Sequence, residues 1–134
     1  MKLMLDTNIC IAMIKQKPKD ILQKFFAYQV GDICISSITL AELRYGVAKS
    51  QYQEKNRAAL DEFILPLEAV DFDEPASLNY GMLKAILEKD GAPIGALDMM
   101  IAAHALSLNV SLVTNNTKEF NRVIGLKVID WIGH

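Results

Sequence analysis

Apolar positions along the chain follow two alternating patterns, which predicts strands alternating with helices. Short continuous apolar runs are typical of strands buried on both faces of a sheet, whereas three- and four-residue spacing indicates helices. Strands are predicted at residues 2–5, 32–36, 68–70, 111–114 and 126–129. Helices are predicted from about 9 to 15, 18 to 31, 38 to 48, 54 to 64, 73 to 90 and 96 to 108, with one helical turn within 115–120.

Strands that alternate with helices along the whole chain are typical of βαβ crossovers, which build a parallel sheet covered on both faces. The fold class is therefore predicted to be α/β. With 134 residues, the chain is expected to form one domain, 1–134. Pro18 is expected to lie in the first turn of the second helix, since proline suits that position.

Composition and charge narrow the classes of function. The chain is 51% hydrophobic and 22% charged, with a net charge of −2, which is unlike a protein that binds nucleic acid by bulk positive charge. An enzyme acting on nucleic acid stays possible where metal ions offset an acidic pocket. Two groups of basic residues are either basic surface patches or ordinary solvated faces of helices. They are Lys15, Lys17, Lys19 and Lys24, and Arg44, Lys49, Lys55 and Arg57.

Cysteine usage and the absence of a long apolar segment indicate a cytoplasmic protein. Cys10 and Cys34 lie in apolar runs without a CxxC pattern, so both are expected to be buried, reduced thiols. No signal peptide and no apolar run of membrane-spanning length is present in the sequence. Contact with a membrane is not expected.

Four polar residues are candidates for chemistry because each follows a predicted strand or begins a helix. Asp6 ends the first strand, Glu42 lies about one turn into the third helix, and Asp98 lies in the first turn of the sixth. Asn116 follows the strand that ends at Thr114. In a doubly wound sheet these positions collect at the carboxyl edge, where ligands bind.

Each candidate also has a purely structural explanation. Asp6 is a suitable N-cap, and Thr39-x-x-Glu42 has the spacing of a capping box. Asp98 suits the positive end of the helix dipole, and Asn116 suits a turn. Taken one at a time, these four residues do not distinguish a site from local helix and turn chemistry.

Gathered carboxylates suit a hard cation such as Mg²⁺ or Mn²⁺, and a metal pair can hydrolyse a phosphodiester. No cysteine–histidine cluster for zinc is present, and His104 is expected to pack in the core or at the surface. The sequence also lacks a Walker A motif, a Gly-x-Gly-x-x-Gly motif and a Gly-x-Ser-x-Gly motif.

Four motifs together resemble the PIN-domain ribonucleases, and within them the VapC-type toxins of toxin–antitoxin modules. The motifs are Met4-Leu5-Asp6-Thr7-Asn8, Ser37-x-Thr39-x-Ala41-Glu42-Leu43-x-Tyr45-Gly46, Ile94-Gly95-x-x-Asp98-x-x-Ile101-Ala102-Ala103-His104-Ala105, and Val113-Thr114-Asn115-Asn116-Thr117-x-Glu119-Phe120. Their order and spacing extend the resemblance over essentially the whole chain.

The resemblance implies a three-layer α/β/α sandwich and an endoribonuclease that depends on Mg²⁺ or Mn²⁺. The acidic positions of the family map to Asp6, Glu42 and Asp98, which are expected to bind the metal. The resemblance also implies an RNA substrate such as tRNA or mRNA, a homodimer, and inhibition by a VapB-type antitoxin. Phe25, Phe26 and Tyr28 lie beside the first helices, where the antitoxin is expected to bind.

The fourth acidic position of many PIN domains is occupied by Asn116 in this sequence. Asn116 is expected to orient the metal shell or the scissile phosphate, while Glu119 is a candidate for the missing charge, so one-metal and two-metal sites both stay open. Thr7 and Thr114 are expected to hydrogen-bond the acidic ligands.

Two other functions remain as alternatives. A PIN domain can bind RNA or protein without cutting it, and the asparagine at position 116 keeps that alternative open. A signalling receiver shares the α/β architecture and an acidic pocket, and the acidic residues Asp71 and Asp73 follow the third strand.

Overall fold

The computed structural model describes residues 1–133, in which a five-stranded sheet lies between two layers of helices. The strands are β1 Leu3–Leu5, β2 Ile33–Ser36, β3 Glu68–Val70, β4 Ser111–Val113 and β5 Val128–Ile129. The helices are α1 Thr7–Lys15, α2 Ile21–Phe26, α3 Ser37–Ala48, α4 Gln53–Ile64, α5 Glu74–Lys89, α6 Ala96–Leu108 and α7 Thr117–Phe120. The predicted α/β/α fold class is confirmed.

All four strand pairings are parallel, and the sheet order is β3-β2-β1-β4-β5. The chain first builds outward from β1 through β2 to β3, and then returns to place β4 on the other side of β1. The order therefore reverses between β1 and β4, and in open α/β sheets the crevice at such a reversal is the usual ligand site.

The central strand buries alternate residues in opposite helical layers, as the period of two in a strand requires. Met4 packs in the cluster that includes α5 and α6. Leu3 and Leu5 pack in the other cluster, which α1, α2, α3 and α4 cover. All three side chains are at most 3% exposed, which is why the strand is a continuous apolar run in the sequence.

Most predicted elements are present, with differences at their ends. α2 begins at Ile21, after the cap residue Asp20, and ends at Phe26. Pro18 therefore precedes the helix instead of lying in its first turn, and that prediction is wrong. Cys10 and Cys34 are buried free thiols, as expected.

The C-terminal segment is anchored against α2. Trp131 is 4% exposed, packs in the cluster below α1–α4, and lies 6.0 Å from the Tyr28 ring. Lys24 Nζ donates a 2.6 Å hydrogen bond to the Trp131 carbonyl oxygen. None of the helices in the described part of the chain combines the length and apolarity that crossing a bilayer requires.

Replacing the anchor tests how strongly this segment is docked. Trp131→Ala is expected to lower the free energy of unfolding by about 3 kcal/mol, because it empties a buried aromatic site. Ile124→Ala is the control, since Ile124 is 83% exposed, and a change within about 0.5 kcal/mol is expected. Urea unfolding followed by circular dichroism measures both. Equal effects would show that the segment is not anchored.

Candidate active site

The sequence-predicted residues lie at the carboxyl edge of the sheet, around the reversal between β1 and β4. Asp6 directly follows β1, and Asn116 lies three residues beyond the end of β4. Glu42 is carried by α3, which follows β2, and Asp98 lies in the first turn of α6. The parallel arrangement therefore brings four distant stretches of sequence to one edge.

Asp6 is both the cap of a helix and the most buried member of this group. The Ile9 N–H donates a 2.8 Å hydrogen bond to Asp6 Oδ1, which caps α1. The side chain is 3% exposed. Burial raises the pKa of Asp6, while a hydrogen bond with the Thr114 side chain opposes the rise. Helix capping and membership of an acidic site are thus compatible.

Glu42 is held by a hydroxyl from the first helix. Thr7 Oγ1 donates a 2.6 Å hydrogen bond to Glu42 Oε1, and it lies 3.4 Å from Thr39 Oγ1. The alternative that Thr39 and Glu42 form a capping box is wrong. α3 begins earlier and is capped by Ser36, whose hydroxyl accepts a 3.1 Å hydrogen bond from the Ile38 N–H. Glu42 is free to face the site.

Asp98 forms a carboxyl pair with Glu119. Burial, a hydrogen bond with Glu119 and the negative charges of Glu119, Asp6 and Glu42 raise the pKa of Asp98 to about 6. Two carboxyl groups can make such a hydrogen bond only when one carries a proton. The Asp98 carboxyl therefore keeps its proton to a higher pH than an ordinary aspartate does.

Asn116 supports this pair through its side-chain amide. Asn116 Nδ2 donates a 2.7 Å hydrogen bond to Glu119 Oε2, while its backbone N–H donates to Thr114 Oγ1 at 2.9 Å. Sequence reasoning left the roles of Asn116 and Glu119 open and missed their contact. The spacing Asn-x-x-Glu at the start of α7 is a signal that two polar side chains can meet.

The donor atoms at this edge are all oxygens. Asp6, Glu42, Asp98 and Glu119 interact electrostatically. Within residues 1–133, however, no three carboxylate, imidazole or thiol groups converge closely enough to form a metal-binding group as they stand. The chemistry of the donors suits a hard cation, and the carboxylates would have to move closer together to share one.

His104 connects the two helices that carry Glu42 and Asp98. Its Nδ1 lies 2.7 Å from Ser36 Oγ, the cap of α3, while Phe72 packs edge-on at 5.4 Å. The imidazole is fully buried, and this desolvation lowers its pKa. Of the two positions expected for His104, the core and the surface, the structure shows the core. His104 also links α6 to the start of α3.

Comparison with known proteins shows the family of this chain. The PIN domain family model matches residues 3–126. The tRNA(fMet)-specific endonuclease VapC of Shigella flexneri is 47% identical over 131 residues, which cover 98% of each chain. The chain belongs to the VapC ribonucleases of the PIN-domain family.

Two further relatives support the assignment to the VapC family. Ribonuclease VapC2 of Haemophilus influenzae is 46% identical over 98% of this chain and 99% of its own. The crystal structure of VapBC2 from Rickettsia felis, bound to a promoter DNA fragment, includes a chain with a TM-score of 0.92 and 42% identity. That match covers 98% of this chain and 99% of the other. The family assignment excludes the signalling-receiver alternative. Asp73 caps α5, since the Ala76 N–H donates a 3.2 Å hydrogen bond to Asp73 Oδ1.

The carboxyl pair predicts a specific titration in metal-free protein. The Asp98 carboxyl is expected to titrate at about pH 6 instead of its ordinary 3.8, as measured by ¹³C NMR. Glu119→Gln should move that midpoint down, because it removes a neighbouring negative charge. Since the folded state keeps the proton to higher pH, wild-type stability should fall relative to Asp98→Asn as pH rises from 3.8 to about 6. A midpoint unchanged by Glu119→Gln would contradict the pairing.

Proposed function

We propose that this chain is the toxin of a type II toxin–antitoxin pair and acts in the cytoplasm as an endoribonuclease dependent on Mg²⁺ or Mn²⁺. The observation that carries the proposal is the placement of Asp6, Glu42, Asp98 and Glu119 at one edge of a VapC-family fold, where they interact electrostatically. Clustered carboxylates repel an RNA phosphate unless a cation lies between them, which is the reason for proposing a metal.

The proposed substrate is initiator tRNA. The Shigella flexneri relative is named as a tRNA(fMet)-specific endonuclease, and its 47% identity extends over 98% of both chains. The overall charge of −2 leaves recognition to local surface contacts and to the shape of the RNA.

Asp6 and Asp98 are the proposed direct metal ligands, and Glu42 is proposed to bind the metal through a water molecule or to hold the attacking water. All of these donors are carboxylate oxygens, which suit Mg²⁺ and Mn²⁺. When bound, such an ion would offset the charge on the scissile phosphate and lower the pKa of a coordinated water.

The side chains around these ligands have distinct proposed roles. Thr7 occupies Glu42 Oε1, which leaves Oε2 to orient the attacking water and accept its proton. Asn116 holds Glu119 beside Asp98, so Glu119 supplies the charge that the amide at position 116 lacks. The water oxygen bonds to phosphorus as the bond to the leaving oxygen breaks, Glu42 takes one proton from that water, and the leaving oxygen takes up a proton from solvent.

A groove beside α1 is the proposed antitoxin site. A cavity of about 290 Å³ between α1, α3 and α4 includes Glu42 and Gly46 in its lining. A neighbouring cavity of about 430 Å³ extends towards Phe25 and Phe26. Both are lined by Ile14 and Ala59, so they form one groove, referred to below as the α1–α4 groove.

The α1–α4 groove suits an amphipathic segment that places apolar side chains along it and a basic side chain at Glu42. The Rickettsia felis relative was solved as a VapBC2 complex, which supports a VapB-type partner. Phe26 is 73% exposed and would be covered by such a segment.

A homodimer remains a prediction. The exposed apolar residues Leu78, Met82 and Ile86 recur every four positions along α5 and form one stripe on the helix. Such a stripe is the surface that best suits association with a second copy.

Cleavage of RNA tests the proposed activity. Purified protein with Mg²⁺ or Mn²⁺ is expected to cut an initiator tRNA transcript, and EDTA should stop the reaction. Asp6→Asn should slow cleavage by more than about a hundredfold. Mutating a residue that only supports a metal ligand costs up to about a hundredfold in activity, and Asp6 is proposed to be a ligand itself. Asn keeps an oxygen for the α1 cap, so this variant removes charge without removing the cap. Gel electrophoresis of end-labelled RNA measures the rates.

The matched control is Asp90→Asn, an identical change at an exposed position outside the site. It should cut at the wild-type rate. Wild-type cutting by Asp6→Asn would refute the assigned site. A folded wild-type protein that cuts no RNA with either metal would favour the non-catalytic PIN alternative.

A blocking substitution tests the antitoxin groove. Ala59→Arg projects a long charged side chain into the α1–α4 groove, so the cognate antitoxin is expected to bind at least about a hundredfold more weakly and to inhibit less. Ala58→Arg is the control, since Ala58 is also exposed on α4 but lines neither cavity. Isothermal titration calorimetry measures both affinities. Equal affinities would place the antitoxin elsewhere.

A further inference from the structure

An exposed aromatic ring and a lysine form a pair at the C-terminal end of α3, where Lys49 is the C-cap residue. Tyr45 is 65% exposed, and Lys49 Nζ lies 4.9 Å from the centre of its ring. This distance is within the range of a cation–π contact, which orients the ammonium group over one face of the ring. An exposed tyrosine beside a cation is the combination that proteins use to hold a base and a phosphate of single-stranded RNA.

The pair follows Glu42 along the same side of the helix. Tyr45 and Lys49 are three and seven residues beyond Glu42. At about 100° and 1.5 Å per residue, the three side chains fall within about 60° of one another. Tyr45 and Lys49 then lie roughly 4.5 and 10.5 Å further along the axis than Glu42. This Tyr45–Lys49 stripe therefore leads away from the acidic edge.

Lys49 has no ion-pair partner among the described residues, unlike Arg44 and Arg57, which are near it in the sequence. Arg44 pairs with Asp61 at 2.8 Å, and Arg57 pairs with Glu54 at 2.6 Å. Among the residues that the structure describes, no carboxylate lies within ion-pair distance of Lys49. The basic group identified in the sequence is thus partly neutralised, and Lys49 keeps its charge for an external anion.

The stripe is separate from the α1–α4 groove. The α3 residues that line the groove are Glu42, Leu43, Gly46 and Val47, whereas Tyr45 and Lys49 are absent from both linings. Glu42 therefore lies where two surfaces of α3 meet. A segment that fills the groove would leave the Tyr45 ring accessible.

We propose that the Tyr45–Lys49 stripe binds the RNA strand next to the bond that is cut, with a base stacked on Tyr45 and a phosphate on Lys49. This inference rests on the proposed ribonuclease function. The ring supplies a stacking surface that tolerates different bases, and the ammonium group supplies a point charge for the backbone. The stripe would therefore contribute to the affinity for RNA and would determine the path of the RNA strand along α3.

Binding can be measured apart from cleavage by using an inactive protein. In the Asp98→Asn background with Mg²⁺, Tyr45→Ala should weaken binding of an initiator tRNA transcript by about tenfold, within the range for one stacked base. Tyr45→Trp should restore binding. Lys49→Ala should lower the slope of log affinity against log salt by about one phosphate contact. Fluorescence anisotropy across salt concentrations gives both values.

Kinetics and matched controls complete the test. In otherwise wild-type protein, Tyr45→Ala should raise KM and leave kcat unchanged, because the ring does not touch the reacting atoms. Tyr52→Ala and Lys55→Ala are the controls, since Tyr52 is 64% exposed and Lys55 is also exposed, but they lie at the cap and in the first turn of α4. Both should match the wild type.

Several outcomes would overturn the inference. They are unchanged RNA affinity in Tyr45→Ala, an equal loss in Tyr52→Ala, or a loss of antitoxin affinity in place of RNA affinity. Failure of the proposed function is distinguishable, since the wild-type protein would then not cut the transcript whatever residue occupies position 45.

Discussion

A carboxylate buried at the end of the central strand is the constraint on which the rest of the site depends. Taking a charged group out of water is costly unless hydrogen bonds replace its hydration. For Asp6, those bonds come from the first turn of α1 and from Thr114, beyond the neighbouring strand β4. The Asp6 N–H also donates to the Val113 carbonyl oxygen at 3.0 Å. The sheet register therefore fixes the position of the acidic edge.

The positions of the other carboxylates follow from contacts made around this anchor. Thr7, the residue after Asp6, aligns Glu42, so the first and third helices are joined at the site. His104 and Ser36 join the sixth helix to the start of the third. Glu42 and Asp98 are thus carried on helices that are tied to each other as well as to the sheet.

The fold, and the placement of the main acidic residues at one edge of the sheet, could be predicted from the sequence because they depend on local patterns. Apolar runs identified all five strands, and the order of four motifs identified the family. The first residue of α3 was harder to predict from the sequence, since Ser36, Ser37 and Thr39 are all residue types that cap helices. The contact that distinguishes Ser36 is with His104, 68 positions away in sequence. Side-chain pairs such as Asp98 and Glu119 depend on tertiary placement, which spacing alone does not determine.

The sources of the four carboxylates have a consequence for how the protein is made. They come from positions 6, 42, 98 and 119 of a chain of 134 residues, and the sheet that gathers them needs β4 between β1 and β5. A growing chain on the ribosome therefore lacks the complete charge cluster until α7 has been synthesised and has folded against the sheet. Products that stop before α7 would carry Asp6, Glu42 and Asp98 but would lack Glu119, so they could not form the full cluster.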